Sequence, residues 1–253
     1  MKLVPLFSSS SGNCTYIGSA AGGILIDSGV SAKRIALALR DNGVDPGRIG
    51  AVFVTHEHTD HITGLRVFCE RGHIPVFATA GTLRALRQAG ALTANIQASV
   101  MPKGGVEVNG ILVQSFRTSH DCAEPCGFTC EAGNGEKFAV ATDTGFLTEE
   151  TCAALLGSDT VLIESNHEVT MVQNGPYPYF LKRRILSDAG HLSNSACSEF
   201  LPKLLQSGTG RFILAHLSRE NNTPDLAYAT ARAAFDIAGA KAGVDYELTV
   251  AGA

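Results

Sequence analysis

The chain has 253 residues, 45% of them hydrophobic and 17% charged, which supports a substantial packed core and excludes a disordered or heavily solvated chain. Its net charge of −4 at pH 7 excludes a global basic field of the kind that drives non-specific nucleic-acid binding, although bound divalent metal supplies positive charge locally. No stretch approaches the ~18 apolar residues of a membrane span, and the apolar run Met1–Phe7 is too short for a secretory signal. Seven scattered cysteines do not make a disulfide framework, so a reducing, cytoplasmic location is expected.

The first half reads as strand 2–7, a small-residue loop over Ser8–Asn13, strands 14–18 and 23–27, and a helix over 32–41 capped by Ser31. The apolar run Ala51-Val52-Phe53-Val54-Thr55 reads as a buried strand. A helix follows through Leu65, Val67 and Phe68, then strand 76–78 and helix 82–89. The second half is richer in strands, at 106–108, 111–118, 127–131 and 137–142, before helix 149–156 and strand 160–164. Helices 178–186 and 195–206, strand 211–217, helix 224–237 and strand 246–250 complete the order. No linker, charge block or repeat interrupts it, so residues 1–253 read as one layered α/β domain.

The strand ending at Thr55 runs straight into His56-Glu57-His58-Thr59-Asp60-His61. His56 and His58 are two apart and share a side if the strand geometry persists, while Asp60 and His61 fall where the chain turns into a helix. Four metal-competent groups in six residues point to more than one ion, and a divalent pair ~3.5–4 Å apart is an arrangement that activates water for hydrolysis. Three later strands also end on donors: Ser115–His120 on His120, Phe138–Asp143 on Asp143, and Arg211–His216 on His216. Nitrogen and oxygen donors of this kind suit Zn²⁺, Mn²⁺ or Fe²⁺. Cys122, Cys126 and Cys130 lack the paired CxxC spacing of a zinc ribbon and are expected to be small core residues.

This HxHxDH signature, followed by His120, by Asp143 in a Thr-Asp-Thr-Gly context and by His216, resembles the metallo-β-lactamase fold over nearly the whole chain. The resemblance implies a four-layer αββα sandwich and two divalent ions. It places His56, His58 and His120 on one ion, Asp60, His61 and His216 on the other, and Asp143 between them. Asp60 and Asp143 are then expected to orient the attacking water. An Asp stands where the commonest zinc β-lactamases carry Cys, and His61 adds a ligand they lack, so a β-lactam substrate is not expected. The short interval from Asp143 to His191 leaves no room for the inserted domain of the RNase J type of nuclease.

Gly190-His191-Leu192-Ser193-Asn194 is similar to the GHxS-type motif of the phosphodiesterase branch, which implies that His191 protonates the leaving group. The phrases Ser8–Cys14, Glu164–His167, Tyr177–Tyr179 and Ala215–Asn222 together resemble the bacterial YycJ (WalJ) family. That resemblance implies a DNA exonuclease of the 5′–3′ type acting on single strands or DNA ends, with a role in repair. Ser9, Asn13, His167, Lys182 and Arg183 are further candidates for substrate contact. Lys182-Arg183-Arg184 behind Tyr177, Tyr179 and Phe180 has the basic and aromatic mix suited to single strands, though a solvated helix face with core aromatics explains it as well. The alternatives are a small cyclic phosphodiesterase and a redox di-iron or thiol-processing module.

Overall fold

The computed structural model describes residues 1–252, which form two compact units: Met1–Ser115 with Cys122–Glu136 and Gly252, and Phe116–Asp121 with Lys137–Ala251. The first opens on a hairpin, β1 (Lys2–Ser9) antiparallel to β2 (Gly12–Gly18). The loop expected over Ser8–Asn13 is therefore mostly strand. Ser8 pairs with Asn13 and Ser9 with Gly12, leaving Ser10 and Ser11 as the turn. β3 (Gly23–Ile26) adds antiparallel to β2, and β4 (Ile49–Phe53), β5 (Val76–Ala78) and β6 (Ala98–Val100) continue the sheet in order, each parallel to the one before.

Helices α1 (Ala32–Asp41), α2 (Thr59–Ile62), α3 (Leu65–Gly72) and α4 (Ala80–Gln88) interleave with these strands. The hydroxyl of Ser31 caps α1 by accepting from Arg34 N, as the sequence predicts. Leu25, Ile35, Leu39, Val52, Leu65, Val76 and Leu83 build the core of this unit. β4 stops two residues short of the expected Thr55 because Thr55 N donates to the Asp27 carboxylate at 2.8 Å, outside the ladder. The hairpin β7 (Val106–Val108) and β8 (Ile111–Arg117) and the strand β9 (Cys126–Ala132) follow.

In the second unit β10 (Lys137–Ala141), β11 (Thr160–Glu164), β12 (Arg211–Ala215) and β13 (Glu247–Val250) are parallel neighbours. Every residue of β11 is buried, as a strand covered on both faces requires. Helix α5 (Glu149–Leu155) connects β10 to β11, three helices, α6 (Val169–Asn174), α7 (Tyr179–Ile185) and α8 (Asn194–Gln206), lie between β11 and β12, and α9 (Pro224–Ile237) precedes β13. Thr148, Ser193 and Thr223 cap α5, α8 and α9 through their hydroxyls. Val161, Ile163, Leu201, Leu204, Phe212, Leu214 and Phe235 form the core. Three short elements were not expected: β6, α6 and a 3-10 turn at Pro46–Arg48. Each is too brief to carry a periodic signal, and α6 has no side-chain cap.

Candidate functional site

In the first unit the hexapeptide leaves β4 as an extended loop and enters α2, with His58 in the N-cap position and Asp60 and His61 in the helix. The paired strand ends at Phe53, but the backbone at His58 is still extended, and the His56 and His58 rings lie 4.6 Å apart, those of His56 and His61 4.2 Å. Beneath them sits Asp27, immediately after β3. Its carboxylate accepts from Thr55 N and Thr55 Oγ1, both at 2.8 Å, and from His61 Nδ1 at 2.7 Å.

These bonds fix the tautomers. A buried carboxylate accepts only, so His61 carries its proton on Nδ1. Thr55 Oγ1 donates to Asp27 and therefore accepts from His56 Nδ1 at 3.0 Å. Both rings thus turn an Nε2 lone pair away from their anchors. Asn13, expected at the substrate, is buried against this group: its Nδ2 lies 3.3 Å from Asp60 Oδ2 and 3.0 Å from His61 Nε2. Ser9 is buried too, with its hydroxyl 3.0 Å from that of Ser11.

The second unit repeats the device at the C-terminal ends of its parallel strands, where α/β sheets gather their sites. Asp143 follows β10, Glu164 ends β11 and His216 follows β12. Glu164 Oε1 accepts from His191 Nδ1 at 2.8 Å and from His216 Nδ1 at 2.9 Å, while Oε2 accepts from Thr144 N at 2.8 Å and Leu192 N at 3.3 Å. Burial alone pushes the Glu164 carboxyl up, but the two imidazoles outweigh it and hold the acid at about 2. His120 donates from Nδ1 to Gly190 O at 2.9 Å, and burial lowers its pKa. Asp143 Oδ1 lies 3.7 Å from His120 Nε2 and 3.6 Å from His216 Nε2.

That spacing is what two ligands about 2.0–2.2 Å from one ion adopt, and neutral imidazoles anchored through Nδ1 are the usual form of metal-binding histidine. The donors in each unit therefore fit divalent metal. Glu164 is close enough to count among them, but its oxygens are engaged by four N–H groups, which makes it an orienting group. The remaining expected residues lie in the second unit. His191 keeps 17% of its side chain exposed, with its ring 5.0 Å from that of His120 and 5.3 Å from that of His216. His167 is buried, and desolvation lowers its pKa to about 4. Lys182 and Arg183 project from α7. Asp27 and Glu164 were not singled out as anchors from the sequence. The signal was present, since each ends an apolar strand as Asp143 and His216 do.

A fold of parallel strands delivering histidines and carboxylates at their ends is that of a metal-dependent hydrolase of the β-lactamase superfamily. The family model for the beta-lactamase superfamily domain matches residues 23–217. The metallo-β-lactamase-fold protein YhfI of Bacillus subtilis superposes with a TM-score of 0.73 at 12% identity, covering 98% of this chain and 95% of its own, which shows the αββα fold class. The chain is 35% identical to exodeoxyribonuclease YycJ of Bacillus anthracis over 96% of its length and 92% of that protein. It is 34% identical to exodeoxyribonuclease WalJ of Streptococcus pneumoniae, over 96% and 91%. Within the superfamily, the chain belongs to the YycJ (WalJ) family.

Proposed function

We propose that the protein is a DNA exonuclease whose leaving-group acid is His191 and whose residues 1–253 act as one hydrolase domain. It is a metal-dependent nuclease, a hydrolase of phosphodiesters. The observation that carries the acid assignment is the 2.8 Å bond from His191 Nδ1 to Glu164 beside Asp143. What supports single-domain action is that the family match runs across both compact units.

The proposed ligand set has His56, His58 and His120 on one divalent ion, Asp60, His61 and His216 on a second, and Asp143 shared. It rests on the family's pattern carried along the sequence, and the donor chemistry within each unit supports it. Zn²⁺ or Mn²⁺ is the expected metal, with Fe²⁺ compatible. Such ions, when bound, polarise a phosphodiester oxygen and acidify water. The chain's own groups do the rest. Asp60 and Asp143 accept hydrogen bonds from the attacking water. Glu164 accepts from His191 Nδ1 and fixes the ring's orientation, as the buried acid of a catalytic triad does, so that Nε2 is the atom that presents a proton to the departing alkoxide.

The family relatives support DNA as substrate, with single strands or DNA ends, 5′–3′ polarity and a repair role as the finer expectations. Of the candidate contacts, Lys182 and Arg183 reach solvent and serve substrate directly; Ser9, Asn13 and His167 are buried and act through their neighbours. Neither the cyclic phosphodiesterase nor the redox module is favoured by these relatives. No helix among the described residues is long and apolar enough to cross a membrane. Seven free cysteines support a reducing, cytoplasmic setting.

His191→Ala is expected to retain its metal while turnover on end-labelled single-stranded DNA falls about 10²–10⁴-fold. Wild-type turnover in that variant removes His191 from the mechanism. Comparing 5′- and 3′-labelled strands reads the polarity in the same experiment.

A further inference from the structure

We propose that α7 is a stacking platform for single-stranded DNA, feeding the strand toward His191. The proposal rests on the DNA-exonuclease reading and names the surface that selects unpaired substrate. Tyr179 and Phe180 are 75% and 74% exposed, so they are not core aromatics. Only Ile185 of this helix is buried. Tyr179, Lys182, Arg183 and Leu186 line a concavity of about 600 Å³ with Gln173 and Ser187. The Arg183 guanidinium lies 6.0 Å from the Tyr179 ring centre.

Tyr179 lines that concavity and Phe180, next to it in the helix, is equally exposed, so each leaves an aromatic face in water. The occupant is indicated by charge: α7 carries Lys182, Arg183 and Arg184 and no acidic residue, in a chain of net charge −4. Unpaired bases offer flat faces to the rings while their phosphates meet the cations. A duplex hides those faces inside its own stack, so the platform discriminates by strandedness. Arg184 is committed elsewhere, donating to both Asp121 oxygens at 2.5 and 2.9 Å, which pins the helix. Lys182 gives one donor to Gln173 O at 2.8 Å and has two more.

The platform is also joined to the proposed acid. His191 N donates to Ile185 O at 3.1 Å and Gly190 N to Ser187 O at 2.8 Å, so the end of α7 and the His191 turn are one hydrogen-bonded piece. Tyr179 to Ile185 spans about 9 Å along the helix, the length of two to three nucleotides stacked at ~3.4 Å.

The test uses the full-length, metal-loaded protein and a cleavage-resistant phosphorothioate oligothymidylate, with affinity read by fluorescence anisotropy. Tyr179→Ala/Phe180→Ala should weaken binding at least about ten-fold, since stacking is worth ~1–3 kcal/mol per base. Tyr179→Phe/Phe180→Tyr, which keeps the rings, should restore it. Equal affinity of the alanine variant and wild type, or no binding by wild type, overturns the platform. Loss of self-association in sedimentation with DNA affinity unchanged also overturns it and assigns the face to a second copy. Failure of the nuclease reading is seen separately, as no nucleotide release from unmodified single strands by the wild type.

Discussion

Glu164 is a buried anion shared by two imidazoles with different tasks, one proposed to hold metal and the other to move a proton. Its value lies in having acceptors only. An amide at this position fails whichever way it is turned. With its oxygen toward His191 and His216, its NH₂ confronts the N–H groups of Thr144 and Leu192; flipped, it confronts the two Nδ1–H groups. Donors facing donors in a buried site cost more than a lost hydrogen bond. Glu164→Gln is therefore expected to weaken metal binding by about 10–100-fold, the usual effect of losing a group that orients a ligand, and to slow DNA turnover as well. Metal analysis of the purified variant separates it from His191→Ala, which should lose turnover alone. A Glu164→Gln protein with full metal content and wild-type turnover would overturn the shared-anchor role. Asp27 holds the equivalent position for His61 and, through Thr55, for His56.

Strand ends organise these side chains, and they do so with an unusual backbone. Asp27, Asp143 and His216 each follow a parallel strand and each has a positive φ, at 61°, 56° and 55°. This left-handed conformation is costly for non-glycine residues and tends to cluster at functional positions. It turns the side chain sharply out of the strand direction, which an apolar run followed by His or Asp does not reveal in sequence. The strands themselves were legible from apolar runs, as at 76–78 and 160–164, or from apolar–polar alternation, as at Val106-Glu107-Val108, and all three were expected with the bounds observed. The ligand positions were legible for the same reason, as the polar residues terminating those runs. Asp27 and Glu164 were harder to place because their partners are 34 residues away in one case, and 27 and 52 in the other, and no local pattern encodes a hydrogen bond over that distance. The turn between α7 and α8 depends on a further device. A Cβ at Gly190 would lie 2.3 Å from both Arg184 O and Ile185 O, in backbone that has nowhere to move without displacing α7. Gly190→Ala is expected to misplace His191 and to remove the acceptor position His120 uses at Gly190 O. Turnover on single-stranded DNA should drop at least as far as in His191→Ala while the far-ultraviolet circular dichroism remains that of the wild type. Wild-type turnover would show that the turn is not held by this close approach.

Across the whole chain, polar chemistry is concentrated at the strand ends and the cysteines are left to packing. Cys14, Cys69, Cys126, Cys130 and Cys197 are buried, and only Cys122 and Cys152 are partly open. Cys126 and Cys130, two of the three at four-residue spacing, sit inside β9, which supports the expectation of small core residues. Among the described residues no cluster of candidate metal donors includes a cysteine. Desolvation pushes the Cys69 thiol up to about 12 and the other four buried thiols well above their ordinary range. The thiolate is the reactive form, so two barriers, access and ionisation, protect the same five residues. Iodoacetamide at pH 8 should modify at most Cys122 and Cys152 in the native protein, and all seven after denaturation, as counted by mass spectrometry. The same shifts bear on stability. A thiol that holds its proton more tightly when folded stabilises the native state fully below its unfolded pKa, and that contribution declines as pH rises through the interval up to the folded value. The melting temperature should accordingly fall as pH is raised from about 9 toward 12. Replacing Cys69 with Ala in the fully buried site should flatten that fall, even though the cavity it leaves lowers stability at neutral pH. An unchanged alkaline slope in Cys69→Ala, or rapid alkylation of a third cysteine in the native protein, would show that these thiols are not sealed in the core.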